Sequence, residues 1–198
     1  MNKIFAAIGL AAAAGSANAV LVIETMPGAL TGTENILFND TGLITQGPLV
    51  QGFTSESRLI VDYFGAGEDL VAGKARVQAV DGGLTQFSVK MNDPGLGFAA
   101  YQFNLDALGT GDVTINVYQH GALALAETFS VDKQGPNWFR IYGTEKEAFS
   151  TVEVMSTVEL GAVRNNRAYA VPNPVPEPSA FAALGVGLLG HLWARRKS

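Results

Sequence analysis

The sequence predicts an all-β domain, a β-sandwich of the jelly-roll kind, flanked by an N-terminal signal peptide and a short C-terminal transmembrane helix. Three observations carry this expectation. Apolar and polar residues alternate with period two through the middle of the chain, and glycines recur between the alternating runs. No stretch between Val20 and Val171 carries the three-to-four-residue stripe of an amphipathic helix.

The elements follow in chain order. Val20–Glu24, Asn35–Asn39, Val50–Thr54 and Leu59–Tyr63 are short runs rich in β-branched and aromatic residues, and each reads as a strand. Ala75, Val77 and Ala79 then alternate with Lys74, Arg76 and Gln78. Phe87, Val89 and Met91 alternate with Ser88 and Lys90. Asp81-Gly82-Gly83 between these runs reads as a tight hairpin, because its glycines supply positive φ. Val113, Ile115 and Val117 share one face, with Thr114, Asn116 and Tyr118 on the other. Beyond Gly121, Leu123, Leu125, Phe129 and Val131 form the returning strand. Trp138–Tyr142 and Phe149–Met155 complete the series, separated by Gly143-Thr144-Glu145-Lys146. About ten short strands at this spacing suggest a sandwich, with an up-and-down barrel as the main competitor.

The two ends have a different character. Lys3, the apolar run Ile4–Ala14 and the small-x-small ending Ala17-Asn18-Ala19 are the three parts of a signal peptide over residues 1–19. Ala17 and Ala19 are the residues a signal peptidase reads, and Val20 is the expected first residue of the mature chain. The domain then spans 20–171, and 172–178 is a proline-rich spacer. Its prolines lack N–H groups and force extended backbone. Residues 179–198 hold an apolar run of sixteen residues, Ser179–Ala194, ahead of Arg195-Arg196-Lys197. As a helix that run covers about 24 Å, short of a roughly 30 Å hydrocarbon core, so membrane thinning or snorkelling of the basic residues closes the gap. The basic end is expected to stay cytoplasmic, leaving the domain outside.

Pro176-Glu177-Pro178, a short Gly- and Leu-rich helix and an arginine-rich end, in that order, resemble the PEP-CTERM sorting signal processed by exosortases. The resemblance covers Val175–Ser198, and His191 within the apolar run is a mild departure from it. It implies a Gram-negative envelope protein held transiently in the inner membrane, cut near Pro-Glu-Pro, and released toward the cell surface or extracellular matrix. The implied partners are signal peptidase, an exosortase-like enzyme and, in one reading, exopolysaccharide. The block Ala75-Arg76-Val77-Gln78-Ala79-Val80-Asp81-Gly82, with Leu84, Phe98, Phe103-Asn104 and Trp138-Phe139-Arg140-Ile141, also looks like a domain found in many proteins bearing that signal. That likeness implies no particular biochemical activity.

Composition narrows the chemistry. Setting aside Lys3 and the three terminal basic residues leaves nine basic side chains against eighteen acids, which disfavours nucleic acid as a partner. The chain has no cysteine, so thiol catalysis, thiolate metal sites and lipid attachment at cysteine are excluded. His120 is the domain's lone histidine and sits before Gly121 at an expected hairpin tip; no Gly-x-Ser-x-Gly elbow accompanies it. Glu68-Asp69, Glu145 and Glu147 fall in turn-like contexts and read as solvated charges, and a paired-carboxylate glycosidase would need a separation that sequence does not show. Loops such as Asp106–Asp112 offer oxygen ligands for calcium, although no EF-hand spacing is present. Tyr63, Phe64, Phe98, Tyr101, Phe103 and Trp138 are expected mostly in the core, and Tyr118 is the best exposed aromatic candidate. The reading is a non-enzymatic structural or adhesive protein with no catalytic residues and no required cofactor. A glycan-binding module, calcium-assisted or not, is the alternative, and a secreted hydrolase comes third.

Overall fold

The computed structural model describes residues 20–173, and over them the chain is all-β with no helix. Thirteen strands run in the order β1 (Leu21–Glu24), β2 (Glu34–Leu37), β3 (Gln46–Gly47), β4 (Leu49–Thr54), β5 (Ile60–Gly65), β6 (Leu70–Gly73) and β7 (Arg76–Ala79), followed by β8 (Leu84–Met91), β9 (Leu96–Ala107), β10 (Gly111–Gln119), β11 (Ala122–Val131), β12 (Asn137–Gly143) and β13 (Thr151–Pro172). The signal peptide and the transmembrane helix expected from sequence lie outside the described residues.

The expected two-sheet sandwich is replaced by a single sheet that closes on itself. β13, β2, β4, β5 and β8 form a ring, and the remaining strands extend from it. Every pair in this ring is antiparallel, so five members can close it only if one of them turns back along its length. β13 is that member. Its 22 residues carry β8, β7 and β2 in succession along one edge and β10 and β9 along the other. Register shifts between Leu160 and Ala162, Arg164 and Arg167, and Tyr169 and Ala170 bend it. A sandwich needs strands to divide between two sheets, and one strand bonded to five others prevents that division.

Alternation located the inner face correctly. Val77, Phe87, Val113, Ile115 and Val117 are all buried. Phe98, Tyr101, Phe103, Phe139 and Phe129 then form a chain of ring contacts with centroids 5.2–5.5 Å apart, inside the range where aromatic pairs add to simple burial. Other expectations need correction. Asp81-Gly82-Gly83 joins β7 to β8, but these strands do not pair with each other; β7 pairs β6 and β13, while β8 pairs β5 and β13. The tight hairpin is β6–β7, closed by Lys74 and Ala75 at φ 51° and 59°. Both central residues of a type I′ turn need positive φ, so this pair occupies positions suited to Asn and Gly. The expected returning strand Leu123–Val131 is present as β11, an edge strand bonded only to β10, which leaves Leu123 solvent-exposed. The long β9 and the second half of β13 are strands that lie outside the runs expected from sequence.

Two substitutions check these assignments. Ile115→Asp places an unpaired charge among buried Val113, Val117 and Val154 and should cost about 4 kcal/mol or more by chemical denaturation; a neutral effect would mean the face is inverted. Ala75→Gly relieves a left-handed conformation that glycine adopts freely and should raise stability by about 1 kcal/mol, read as a higher melting midpoint.

Candidate functional site

Most of the reactive residues singled out from sequence are dispersed. His120 is exposed at the β10–β11 turn with φ 50°. Glu68 and Asp69 lie in the β5–β6 turn and border a shallow hollow with Asp81. No group of three His, Asp or Glu side chains able to hold a metal ion occurs among the described residues. Asp106 and Asp112, offered as calcium ligands, are committed elsewhere. Asp106 lies on β9 and pairs with Arg164, while Asp112 accepts a hydrogen bond from Ser130 Oγ at 2.9 Å. Of the six aromatics, Tyr63, Phe98, Tyr101 and Phe103 are wholly buried, and Phe64 and Trp138 are half-buried at the surface.

The outer faces of the sheet carry the organised polar groups. One is centred on Glu153 of β13, which lies between Ser88 of β8 and Asn116 of β10. Its carboxylate accepts hydrogen bonds from Gln86 Nε2 at 2.9 Å, Asn116 Nδ2 at 3.0 Å and Tyr118 Oη at 2.9 Å. The Asn116 bond leads the effects that hold its pKa below the usual carboxylate range, assisted by Tyr118 and Gln86 against some desolvation. Tyr118 is correspondingly pushed up, chiefly by its bond to Glu153. A carboxylate with three donors and a lowered pKa is a poor general acid. It ties three strands together, and beside it Lys90 Nζ sits 4.7 Å from the Phe64 ring centre.

The second face is built on β12, β9, β13 and the strands beyond. Two successive cross-strand rows run over it: Arg140, Gln102, Arg167 and Asn35, then Trp138, Asn104, Arg164 and Arg76. Four of the five arginines within residues 20–173 therefore share one face of an acidic domain. Simple alternation would not allow this, because Arg164 and Arg167 are three residues apart and would point to opposite sides. The bulge at Asn165 and Asn166 inserts one residue and brings both arginines outward. Asn165 takes φ 52°, a left-handed conformation asparagine tolerates better than most residues. Asn166 turns inward and is buried, accepting a hydrogen bond from Tyr101 Oη at 2.7 Å and donating to the Val163 carbonyl at 3.2 Å. Burial pushes the Tyr101 phenol well above its ordinary range, so the hydroxyl keeps its proton for that bond.

The four guanidinium groups differ in how they are compensated. Arg140 pairs with Glu24, whose pKa is lowered by hydrogen bonds from Tyr142 first and Arg140 second, and Arg164 pairs with Asp106. Arg167 has no carboxylate partner among the described residues. It donates from Nη1 to Asn35 Oδ1 at 2.6 Å, from Nε to Thr33 Oγ1 at 3.1 Å and from Nη2 to the Thr33 carbonyl at 2.7 Å. Arg76 has neither an ion pair nor a side-chain hydrogen bond among the described residues. Gly28, Ala29, Asn35, Gln102, Trp138, Asn165 and Arg167 line a cleft of about 200 Å³. One wall is the segment entering β2, held by Leu30 N–H donating to Gln102 Oε1 at 3.3 Å. Fixed amides, an indole surface and guanidinium donors suit a polar ligand with an anionic group. In sequence, the only signals for this face were Arg140 in Trp138-Phe139-Arg140 and the Asn-Asn pair between two arginines.

Residues 174–198 match the family model for the PEP-CTERM protein-sorting motif. No curated protein and no solved structure matches the chain. The processing residues Ala17, Ala19, Pro176, Glu177, Pro178, Arg195, Arg196 and Lys197 lie outside the described residues, and Val20 is the first described.

The bulge supplies the check on this face. Asn166→Ala removes a buried acceptor from Tyr101 Oη and a donor from the Val163 carbonyl, and should cost about 2 kcal/mol in denaturant unfolding. An unchanged midpoint would show that the Asn166 side chain does not hold the bulge.

Proposed function

We propose that this chain is an exported, non-enzymatic protein of the cell surface or extracellular matrix, with a structural or adhesive role. The observation that carries the reading is the PEP-CTERM motif at 174–198, directly beyond the end of β13 at Pro172. That motif implies an exported protein processed at the membrane by an exosortase-type enzyme. In this reading Ala17 and Ala19 direct cleavage before Val20, and Pro176-Glu177-Pro178 is the strip the processing enzyme reads. Arg195, Arg196 and Lys197 hold the C-terminal end on the cytoplasmic side until release. Strand boundaries fit both cuts. β1 begins at Leu21, so removal of 1–19 leaves it whole, and a cut near Glu177 spares β13.

Two features of the domain support a role without catalysis. Glu153 accepts three hydrogen bonds, and its pKa is held below the usual carboxylate range, chiefly by Asn116. Glu24, Asp40 and Asp106 are held in ion pairs, and Asp93 caps a turn through the Gly95 N–H. A glycan-binding activity within the same role is favoured by one specific arrangement, the Trp138 and arginine face with its amide-lined cleft.

Glu177→Ala separates sorting from plain membrane anchoring. An ordinary anchor needs an apolar helix and a basic end and is indifferent to one acid in a proline spacer. The variant should insert normally and then accumulate uncleaved in the inner-membrane fraction, while the wild type is recovered with Val20 at its N-terminus by mass spectrometry. Processing and release of the variant at wild-type levels would sink the assignment of Glu177.

A further inference from the structure

The arginine face suggests a more definite ligand than the general reading provides. The domain carries seventeen acids against nine bases over residues 20–173, so a cationic face must be built against the background. Four arginines and one tryptophan fall in two adjacent rows, and they do so only because the Asn165–Asn166 bulge rephases β13. Two of the four, Arg76 and Arg167, have no carboxylate partner among the described residues. Bulges commonly re-aim side chains beside binding sites, and a left-handed non-glycine residue at the lip of a cleft belongs to the same pattern.

We propose that this face binds a carboxylate-bearing polysaccharide, with uronic acid units seated on Arg167 and Arg76 and a sugar ring lying on Trp138. This rests on the reading of the chain as an exported surface protein with glycan-binding capacity. A guanidinium presents parallel N–H donors that match a carboxylate, and Arg167 is held in place by three hydrogen bonds to Thr33 and Asn35. The indole offers an apolar surface to the C–H face of a pyranose, while Gln102, Asn35 and Asn104 offer amides to its hydroxyls. Arg76 on β7 and Arg167 on β13 stand one strand spacing across and one cross-strand row along, about 8 Å apart at the backbone. That separation suits charges carried on alternate units of an extended sugar chain.

Charge density argues against nucleic acid on the same surface. A duplex carries about one charge per 1.7 Å of its axis, and it would meet Glu24 and Asp106 among the arginines. A polyuronate has its charges farther apart and carries hydroxyls between them, which is what the interleaved amides can use.

The test uses the full chain, purified in mild detergent, on surfaces bearing polygalacturonate, neutral dextran or oligo(dT). The expected result is retention on polygalacturonate, weakening with added salt, and none on dextran. Arg76→Gln should weaken that retention about tenfold, and Arg167→Gln and Trp138→Ala at least as much. Lys90→Gln, which removes a cation from the Glu153 face, should leave it unchanged. Arg167 also anchors the Thr33 segment, so the Arg76 variant, with no side-chain partner to lose, is the deciding measurement if Arg167→Gln proves unstable. No retention on polygalacturonate, equal retention on dextran, stronger retention on oligo(dT), or full binding by Arg76→Gln and Trp138→Ala would each overturn the proposal. Sorting is read separately by fractionation of the Glu177 variant, so a failure of ligand binding and a failure of the export reading give different results.

Discussion

The structure depends on the hydrogen-bonding capacity of one strand. β13 offers two rows of backbone donors and acceptors over 22 residues, and five other strands use them. A straight strand of that length would span about 70 Å, too long for a domain of this size. Bulges solve the geometric problem by bending β13 until β8 and β2, bonded to the same edge at separate points, are joined through β5 and β4. Closure then removes the exposed edges that those strands would otherwise present. The chain has no cysteine to staple such an assembly, so its stability rests on this closure and on the aromatic and aliphatic packing inside it.

The bulge at Asn165 and Asn166 serves the fold and the surface together. Inward, Asn166 satisfies the phenol of Tyr101, which lies within the stacked rings of the core. Outward, the extra residue sets Arg164 and Arg167 side by side. A change at the core end of this connection therefore reaches the arginines through backbone phase, with no side-chain contact required. The Glu153 face makes a useful contrast. Its carboxylate takes donors from β8 and β10 and so knits β8, β13 and β10 together, whereas Arg76 has no side-chain partner among the described residues.

The first and last described residues are both bonded to the sheet. Val20 donates to Thr144 Oγ1 and accepts from the Thr144 backbone N–H through its carbonyl, and Asn173 N–H donates to the Gly95 carbonyl. These bonds fasten the first and last described residues to the body of the sheet. Cleavage before Val20 or beyond Asn173 thus falls outside the bonded framework.

By itself the sequence determined the all-β class, the inner face of the central strands and the sorting motif at its C-terminal end. Each of these is encoded in neighbouring residues: an alternation of two or a contiguous run. Tertiary structure alone decided the closed barrel, the pairing of β7 with β13 instead of β8, and the arginine face. Asp81-Gly82-Gly83 shows why, since a turn reverses the chain but does not choose the strand it will meet. Arg164-Asn165-Asn166-Arg167 shows the same limit for the site. Whether those arginines share a face depends on one inserted residue, and that insertion exists only relative to the partner strand β9, far away in sequence. Side-chain phase is local, whereas strand pairing and bulge placement are set by whichever distant backbone groups complete the hydrogen bonds.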